Sequence, residues 1–270
     1  MEDFAAGLSH MRKLLAEKET FMYRTERINA ILETLKRTRC ATVEELSQEL
    51  FISASSIRRD LVELEGRGLV IRKYGGVELA VTDKLNVPFS LRMKVCVAEK
   101  KQIAQKAAAL VEDGDVVFLD ASTTAMYLAQ ELCKKNGLTV ITNGIHAVQY
   151  LADYRVKVIC TGGTLDYDDR AAMVGSETLK IIENMHADIA FIAPQAIDAH
   201  GTLYDCYREE AAIVSQMLRC ATRRIALCDQ KKIAKSSTFK QCSVGDLDVL
   251  ISDVSQRERF GEMFPDVIYL

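Results

Sequence analysis

Apolar positions follow two different rules along this chain. Up to about residue 77 they recur at helical spacing; beyond residue 95 they gather into short continuous runs. Ile28, Ile31, Leu32 and Leu35 share one helical face, which predicts a helix over residues 24–36. Thr42 with Glu45 three residues later has capping-box spacing and opens a second helix through Leu46 and Leu50. A turn at Phe51 and Ile52 leads to Ser53, whose hydroxyl is placed to cap a third helix over 54–65, with Ile57, Leu61 and Leu64 facing inward. Gly66 and Gly68 end that helix. Residues 69–77 then read as a strand, a turn at Gly75 and Gly76, and the start of a return strand.

In the second regime, runs over 116–119, 138–141, 156–160, 189–192, 225–228 and 249–251 read as strands. Helical segments over 99–111, 124–133, 145–152, 176–184 and 208–221 fall between most of them. Near-continuous apolar strands alternating with helices imply a mostly parallel sheet covered on both faces. The expected fold class is therefore α/β: an N-terminal winged helix-turn-helix followed by an α/β domain. Residues 78–94 lack either period and contain Pro88, so they read as a linker. The expected divisions are an extension (1–21), a helix-turn-helix unit (22–77), the linker (78–94) and the α/β domain (95–270). In the extension, Leu8, Met11, Leu14 and Leu15 share a helical face; an additional helix and an over-extended start both remain open.

Composition narrows the class. With 270 residues, 49% hydrophobic and 27% charged, the chain is neither disordered, collagen-like nor a pure coiled coil. No window approaches the roughly 20 uncharged apolar residues of a membrane helix. Charges scattered through the first 22 residues break up any secretory apolar core, so a cytoplasmic location with no membrane partner is expected. A net charge of −3 argues against a simple polyanion binder, yet residues 24–77 carry 10 basic and 8 acidic side chains and form the only net-positive stretch. The eight cysteines (40, 96, 133, 160, 206, 220, 228 and 242) include no CxxC pair and read as reduced thiols. Neither a metal nor a cofactor is called for.

Two short helices, a tight turn and a two-stranded wing outline a DNA reader. The third helix then offers Ser55, Ser56, Arg58 and Arg59 to base edges and phosphates, with Ser53 at its start, and the wing offers Arg72, Lys73 and Tyr74. The bland alternative is a solvated arginine face, with one arginine paired to Asp60 or Glu63. The run from Val43 to Leu61, then Leu64 and residues 68–76, closely resembles the DNA-binding domain of the DeoR family of bacterial transcriptional regulators. Its block S-x-x-(S/T)-I-R-R-D-L with a following Gly-Gly wing carries the resemblance. Ser56 stands where threonine is common and Tyr74 where histidine is common.

The resemblance continues through Pro88-Phe89 with Arg92, Glu99-Lys100, residues 120–124, Thr142-Asn143, Gly162-Gly163, Gly175, Glu210-Ala211, and Asp229 with Lys232. It implies a C-terminal domain similar to ribose-5-phosphate isomerase that binds a phosphorylated sugar or related metabolite as effector. The residues read the same way by themselves. Asp120, Ser122, Thr123 and Thr124 lie between a strand and a helix N-terminus, a favourable place for an anion. Asn143 and the Gly162-Gly163 turn follow the next two strands at the same sheet edge. Lys232 is placed to neutralise a phosphate, although Lys231 could equally do so, and Asp229 to accept a sugar hydroxyl. Around 193–198 alanines replace the glycines usual in the family, and residue 231 is lysine where a small hydroxyl residue is common.

The reading is a DNA-binding regulator, expected to be a repressor of carbohydrate metabolism genes acting as a homodimer or homotetramer on double-stranded operator DNA. Two alternatives are a sugar-phosphate isomerase-like enzyme, with Asp120, Asp198 or Glu210 as candidate base, and a scaffold that binds no ligand.

Overall fold

A computed structural model describes residues 24–38, 40–66, 69–73, 76–79, 89–165 and 171–270, and their contacts divide the chain into two units, residues 1–87 and 88–270. The expected extension (1–21), Gly68, Tyr74, Gly75 and Pro88 lie outside the described residues.

In the first unit, α1 (Arg24–Thr38), α2 (Val43–Leu50) and α3 (Ala54–Gly66) form where the apolar period places them. The capping box is present: the Glu45 amide donates to Thr42 Oγ1 at 3.1 Å and the Thr42 amide to Glu45 Oε2 at 2.8 Å. Ser47 and Ile52 close the turn reciprocally, the Ile52 amide reaching the Ser47 carbonyl at 3.2 Å and the Ser47 hydroxyl the Ile52 carbonyl at 2.5 Å. Ile31, Leu35, Leu46, Ile57 and Leu64 are fully buried, each stabilising the unit by about 1.5–3 kcal/mol.

One buried charge joins the helices. Asp60 of α3 accepts from Arg27 of α1 in bidentate fashion, at 2.9 Å from Nε and 3.1 Å from Nη2, and its side chain has no exposed surface. Neither acidic neighbour is therefore left to hold the recognition arginines, since Glu63 in turn pairs with Arg24.

Strands β1 (Cys40–Ala41), β2 (Val70–Lys73) and β3 (Gly76–Leu79) make an antiparallel sheet in the order β1-β3-β2. The two-residue β1 has no periodic signal and is specified by its partner. A Cβ on Gly76 would stand 3.1 Å from the Ala41 carbonyl oxygen, so glycine lets β1 approach.

The second unit opens with α4 (Phe89–Arg92) and α5 (Val97–Ala108). The expected linker therefore needs correction at both ends. Glu78 and Leu79 finish β3, held by ladder bonds, and Phe89 is buried and stacks on His146 at 4.4 Å between centroids. Then follow β4 (Val116–Leu119), α6 (Thr123–Leu132), β5 (Thr139–Thr142), α7 (Ile145–Asp153) and β6 (Lys157–Cys160). A hairpin of β7 (Thr164–Leu165) and β8 (Met173–Val174) precedes α8 (Ser176–Glu183) and β9 (Ala187–Ile192). Next come β10 (Ala196–Ile197), β11 (Thr202–Asp205), α9 (Arg208–Arg219), β12 (Ala221–Leu227) and β13 (Phe239–Ser243). The chain closes with β14 (Val249–Ile251), α10 (Arg257–Phe260) and β15 (Ile268–Tyr269).

Seven strands in the order β15-β14-β12-β9-β4-β5-β6 form one sheet, parallel at every pairing. Alternate residues feed opposite cores. Val117 and Leu119 pack with Ile103, Leu128 and Leu151 from α5, α6 and α7, whereas Phe118 and Ala190 pack with Ile182, Ile213 and Met217 from α8 and α9. A smaller antiparallel sheet, β10-β11-β13, lies outside the sequence expectation. All eight cysteines are free thiols.

The Arg27–Asp60 pair generates the first prediction. Asp60→Ala removes the carboxylate that takes two of the guanidinium's hydrogen bonds and should cost about 3 kcal/mol, near the lower end for breaking a buried pair because Arg27 can partly rehydrate. Replacing both residues with apolar side chains should restore much of the loss. Urea unfolding of the helix-turn-helix unit measures both, and a cost below about 0.5 kcal/mol, ordinary for a surface substitution, would remove the pair's structural role.

Candidate functional site

The recognition face of the first unit is polar and open. Ser53, Ser55 and Ser56 form a hydroxyl cluster at the start of α3, with Ser53 Oγ 3.1 Å from Ser55 Oγ and 3.0 Å from Ser56 Oγ. Arg58 is exposed and reaches Glu44 of α2 at 3.3 Å. Such a surface pair is worth about 0–1 kcal/mol, so it restrains the arginine little. Arg59 is exposed and makes no ion pair with a described residue. On the wing, exposed Arg72 lies 3.7 Å from Glu65, and the Lys73 backbone pairs with Gly76.

In the second unit the sheet grows from β4 toward β6 on one side and from β9 toward β15 on the other, so its switch point lies between β4 and β9. Ligands of open α/β sheets bind beyond the carboxyl ends of the strands at such a point. Asp120 sits there, buried, immediately after β4. One carboxylate oxygen accepts from the Ser122 amide at 3.0 Å and the other from the Ala193 amide, just after β9, at 2.6 Å. Burial pushes the Asp120 carboxyl upward, and these hydrogen bonds and Lys232 oppose the shift.

Around Asp120 the predicted residues divide by role. Ser122 caps α6 by accepting from the Ala125 amide at 3.0 Å, while Thr123 and Thr124 are buried in the first turn. Asn143 donates through Nδ2 to the Met173 carbonyl at 3.1 Å, but its buried Oδ1 has no partner among the described residues; nor has Thr161 Oγ1 after β6. Gly162 and Gly163 follow. At Gly163, φ is 110° and a Cβ would stand 2.2 Å from Thr178 Oγ1, so packing against α8 demands glycine there whatever binds nearby.

Beyond β12, buried Asp229 accepts from the Lys231 amide at 3.2 Å. The two lysines point in different directions. Lys231 Nζ turns to Cys96 and Glu99, at 3.1 and 3.4 Å, whereas Lys232 Nζ donates to the Pro194 carbonyl after β9 at 2.8 Å.

Sequence reasoning did not select as site residues Phe89, Met126, Gly144, His146 and Ala171, which line a shallow depression beside Asp120 and Ser122. Lys100, quoted with Glu99 as a motif of the resemblance but not as a site residue, is a buried lysine on α5. A signal existed: Lys100 shares its helical face with Ile103, Ala104 and Ala107. Two of the three candidate bases, Asp120 and Asp198, are engaged in hydrogen bonds at their turns. Asp120 accepts one backbone amide on each carboxylate oxygen. Asp198 accepts from the His200 and Thr202 amides and the Tyr204 hydroxyl, each at 2.9 Å; although burial raises its carboxyl, these bonds bring it below the ordinary value.

Comparison with known proteins gives concordant matches. Residues 27–82 match the DeoR-like helix-turn-helix domain and residues 95–254 the DeoR C terminal sensor domain. The HTH-type transcriptional repressor GlcR of Bacillus subtilis (strain 168) is 33% identical over 243 residues, 90% of this chain and 93% of that protein. The glycerol-3-phosphate regulon repressor of Escherichia coli (strain K12) is 28% identical, covering 86% of this chain and 92% of its own length. The L-fucose operon activator of the same organism is 31% identical, with coverages of 85% and 95%. Among solved structures, a D-ribose-5-phosphate isomerase in complex with phospho-erythronic acid aligns with a TM-score of 0.38 at 16% identity, over 50% of this chain and 52% of that one.

A prediction follows from the position of Asp120. Asp120→Ala strands the Ala193 amide without its acceptor and should destabilise the second unit by about 1–3 kcal/mol. Thermal denaturation reads the loss; an unchanged melting temperature would show that the two turns hold together without it.

Proposed function

The chain belongs to the DeoR family of transcriptional regulators, with a helix-turn-helix domain followed by a sensor domain, and from that premise we propose that it represses carbohydrate metabolism genes under the control of a phosphorylated sugar or related metabolite. Two of the relatives above are repressors by name and one is an activator.

Lys232 is the observation that carries the effector reading. Its ammonium rests on the Pro194 carbonyl beside the Ala193 amide that Asp120 holds, and Asp120 leads into α6, whose first amides have no intrahelical acceptor. The unpartnered Asn143 Oδ1 and Thr161 Oγ1 at the same edge suit a hydroxylated ligand. Asp120, Ser122, Thr123, Thr124, Asn143, Gly162, Asp229 and Lys232 form the proposed effector site. Chemistry on the bound sugar is disfavoured by the commitments of Asp120 and Asp198.

At the DNA, α3 is proposed to enter the major groove with Arg58 and Arg59 at base edges or phosphates, and Ser53, Ser55 and Ser56 beside them. Arg72, Lys73 and Tyr74 of the wing are proposed to hold the backbone or minor groove. Paired half-sites require a homodimer or homotetramer. Effector binding then alters how the two heads are spaced, a coupling typically worth about 1–3 kcal/mol. The setting proposed is the cytoplasm; among the described residues no helix is long and apolar enough to cross a membrane.

Two predictions test the two ends. Arg58→Ala and Arg59→Ala should each cost about 1–3 kcal/mol of operator affinity for every bidentate base pairing removed. Lys73→Ala should weaken all sequences alike and reduce the salt slope by about 1. Anisotropy titrations on operator and scrambled duplexes separate these outcomes, and unchanged operator affinity in the double arginine variant takes α3 out of the groove.

At the sensor, a phosphorylated sugar should raise the melting temperature while its unphosphorylated parent should not. The gain should reach about 2.7 kcal/mol at a hundred times the dissociation constant. Lys232→Ala should abolish that shift and leave DNA binding intact. Coupling is reciprocal, so operator DNA must weaken effector binding by the same factor; equal effector affinities with and without operator would leave the regulator without a mechanism.

A further inference from the structure

Cys96 starts α5 but does not cap it. Its backbone is left-handed, with φ at 53°, a conformation that residues other than glycine rarely adopt, and its thiol makes no hydrogen bond to the helix that follows. The sulfur is met instead by Lys231, whose ammonium lies 3.1 Å from it and 3.4 Å from a carboxylate oxygen of Glu99. The two partners are 135 residues apart, one at the start of α5 and the other on the turn after β12. Lys231 stands where a small hydroxyl residue is common in the family, so the pair is an addition of this chain to the family's frame.

A thiol beside an ammonium at the start of a helix has the surroundings of a reactive cysteine, and the thiolate is the form that attacks an oxidant. Cys96 is partly exposed, so a small oxidant reaches it. Burial pushes the thiols of Cys206, Cys228 and Cys242 up to about 12, which keeps them out of that chemistry. The Lys231 ammonium is held above its ordinary value by the Cys96 sulfur and by Glu99. Oxidation of the sulfur removes the first of those holds, and Glu99 is placed to take the proton that the amine then sheds. Sulfur and nitrogen at 3.1 Å are within the range of reacting atoms poised for attack. An oxygen between the two spans nearly the separation they already keep, whereas a direct bond would need a much closer approach.

We propose that Cys96 and Lys231 form an oxidant-responsive pair, which hydrogen peroxide converts into an oxygen-bridged link, Cys–S–O–NH–Lys. One peroxide oxidises the Cys96 thiol to the sulfenic acid and leaves as water. A second peroxide takes two more electrons as the sulfenic oxygen bonds to Nζ. In sum, one thiol, one neutral amine and two peroxides give the link and three waters. The S–H bond, one N–H bond and both peroxide O–O bonds break, and S–O and O–N bonds form. A dithiol reductant returns the four electrons, two molecules per link, and releases thiol, amine and one water. The link fastens the turn after β12 to the start of α5, and the reading of the effector plays no part in it.

The test uses the full-length protein, reduced and kept from air, then treated with hydrogen peroxide in modest excess near neutral pH. Intact mass and tryptic mapping are read before and after. The wild type should gain the mass of one oxygen less two hydrogens, lose tryptic cleavage after Lys231, and yield a peptide in which Cys96 and Lys231 are joined. Its melting temperature should rise, as it does when a cross-link closes a long loop, and dithiothreitol should reverse every one of these changes. Cys96→Ser should form no link. Lys231→Arg should keep the melting temperature of the reduced protein yet stop at the oxygen acids of Cys96, seen as gains of whole oxygens, because a guanidinium does not give up its proton. A merely structural contact would leave wild type and Lys231→Arg with the same oxidation products. That result overturns the pair, as does a link from Cys96 to any other residue or a wild type that peroxide leaves unchanged. A joined Cys96 and Lys231 peptide that lacks the added oxygen overturns the oxygen bridge.

Discussion

Where a parallel sheet grows in two directions from its middle, the turns leaving its two central strands have no backbone ladder to hold them together. Asp120 supplies the missing link: a buried carboxylate after β4 that takes the amide of its own turn with one oxygen and the amide after β9 with the other. Lys232 repeats the device one strand further on, joining the turn after β12 to the carbonyl after β9. The carboxyl edge of the sheet is thus stitched by side chains as well as by strand pairing. The helix start at Ser122, the Asn143 turn and the 3-10 turn at Asp229 are arranged around those stitches.

Fixing an edge this way concentrates ionisable groups under low dielectric. Burial drives Asp120 and Asp205 upward and Lys100 downward. Each neutralises its neighbours only in part, with Lys232 lowering both carboxyls and Lys100. Such an arrangement is less stable than an apolar edge would be. A stability cost concentrated at one edge of a domain is the trade commonly met in binding sites.

The DNA-reading unit solves a related problem with one buried pair. Asp60 sits beside Arg58 and Arg59 on the same helix and would compete for them if it faced outward. Turned inward and held by Arg27, it ties α3 to α1 and leaves the two arginines exposed, one with only a weak surface partner. Rigidity of the helix and availability of its reading face come from the same salt bridge.

Much of this was determined by the sequence alone, because its causes are local. The 3.6-residue period set α1, α2 and α3; the Thr42 and Glu45 spacing set a cap; short apolar runs set most strands of the parallel sheet. The Arg58-Arg59 block and the turns at Asp120, Asn143 and Gly162 could be named as candidates because a motif or a strand end marks them. What the tertiary structure decided were matters between distant residues. β1 and the β10-β11-β13 sheet exist through pairing, not periodicity. The partner of Asp60 lies 33 residues away and that of Asp120 lies 73 away. Which of two adjacent lysines faces the switch point depends on where Cys96 and Pro194 come to rest. Lys100 stands out in the sequence only as part of a family motif with Glu99; only folding shows that its face is the buried one, since helical spacing tells which residues share a face and packing alone tells which neighbours that face meets.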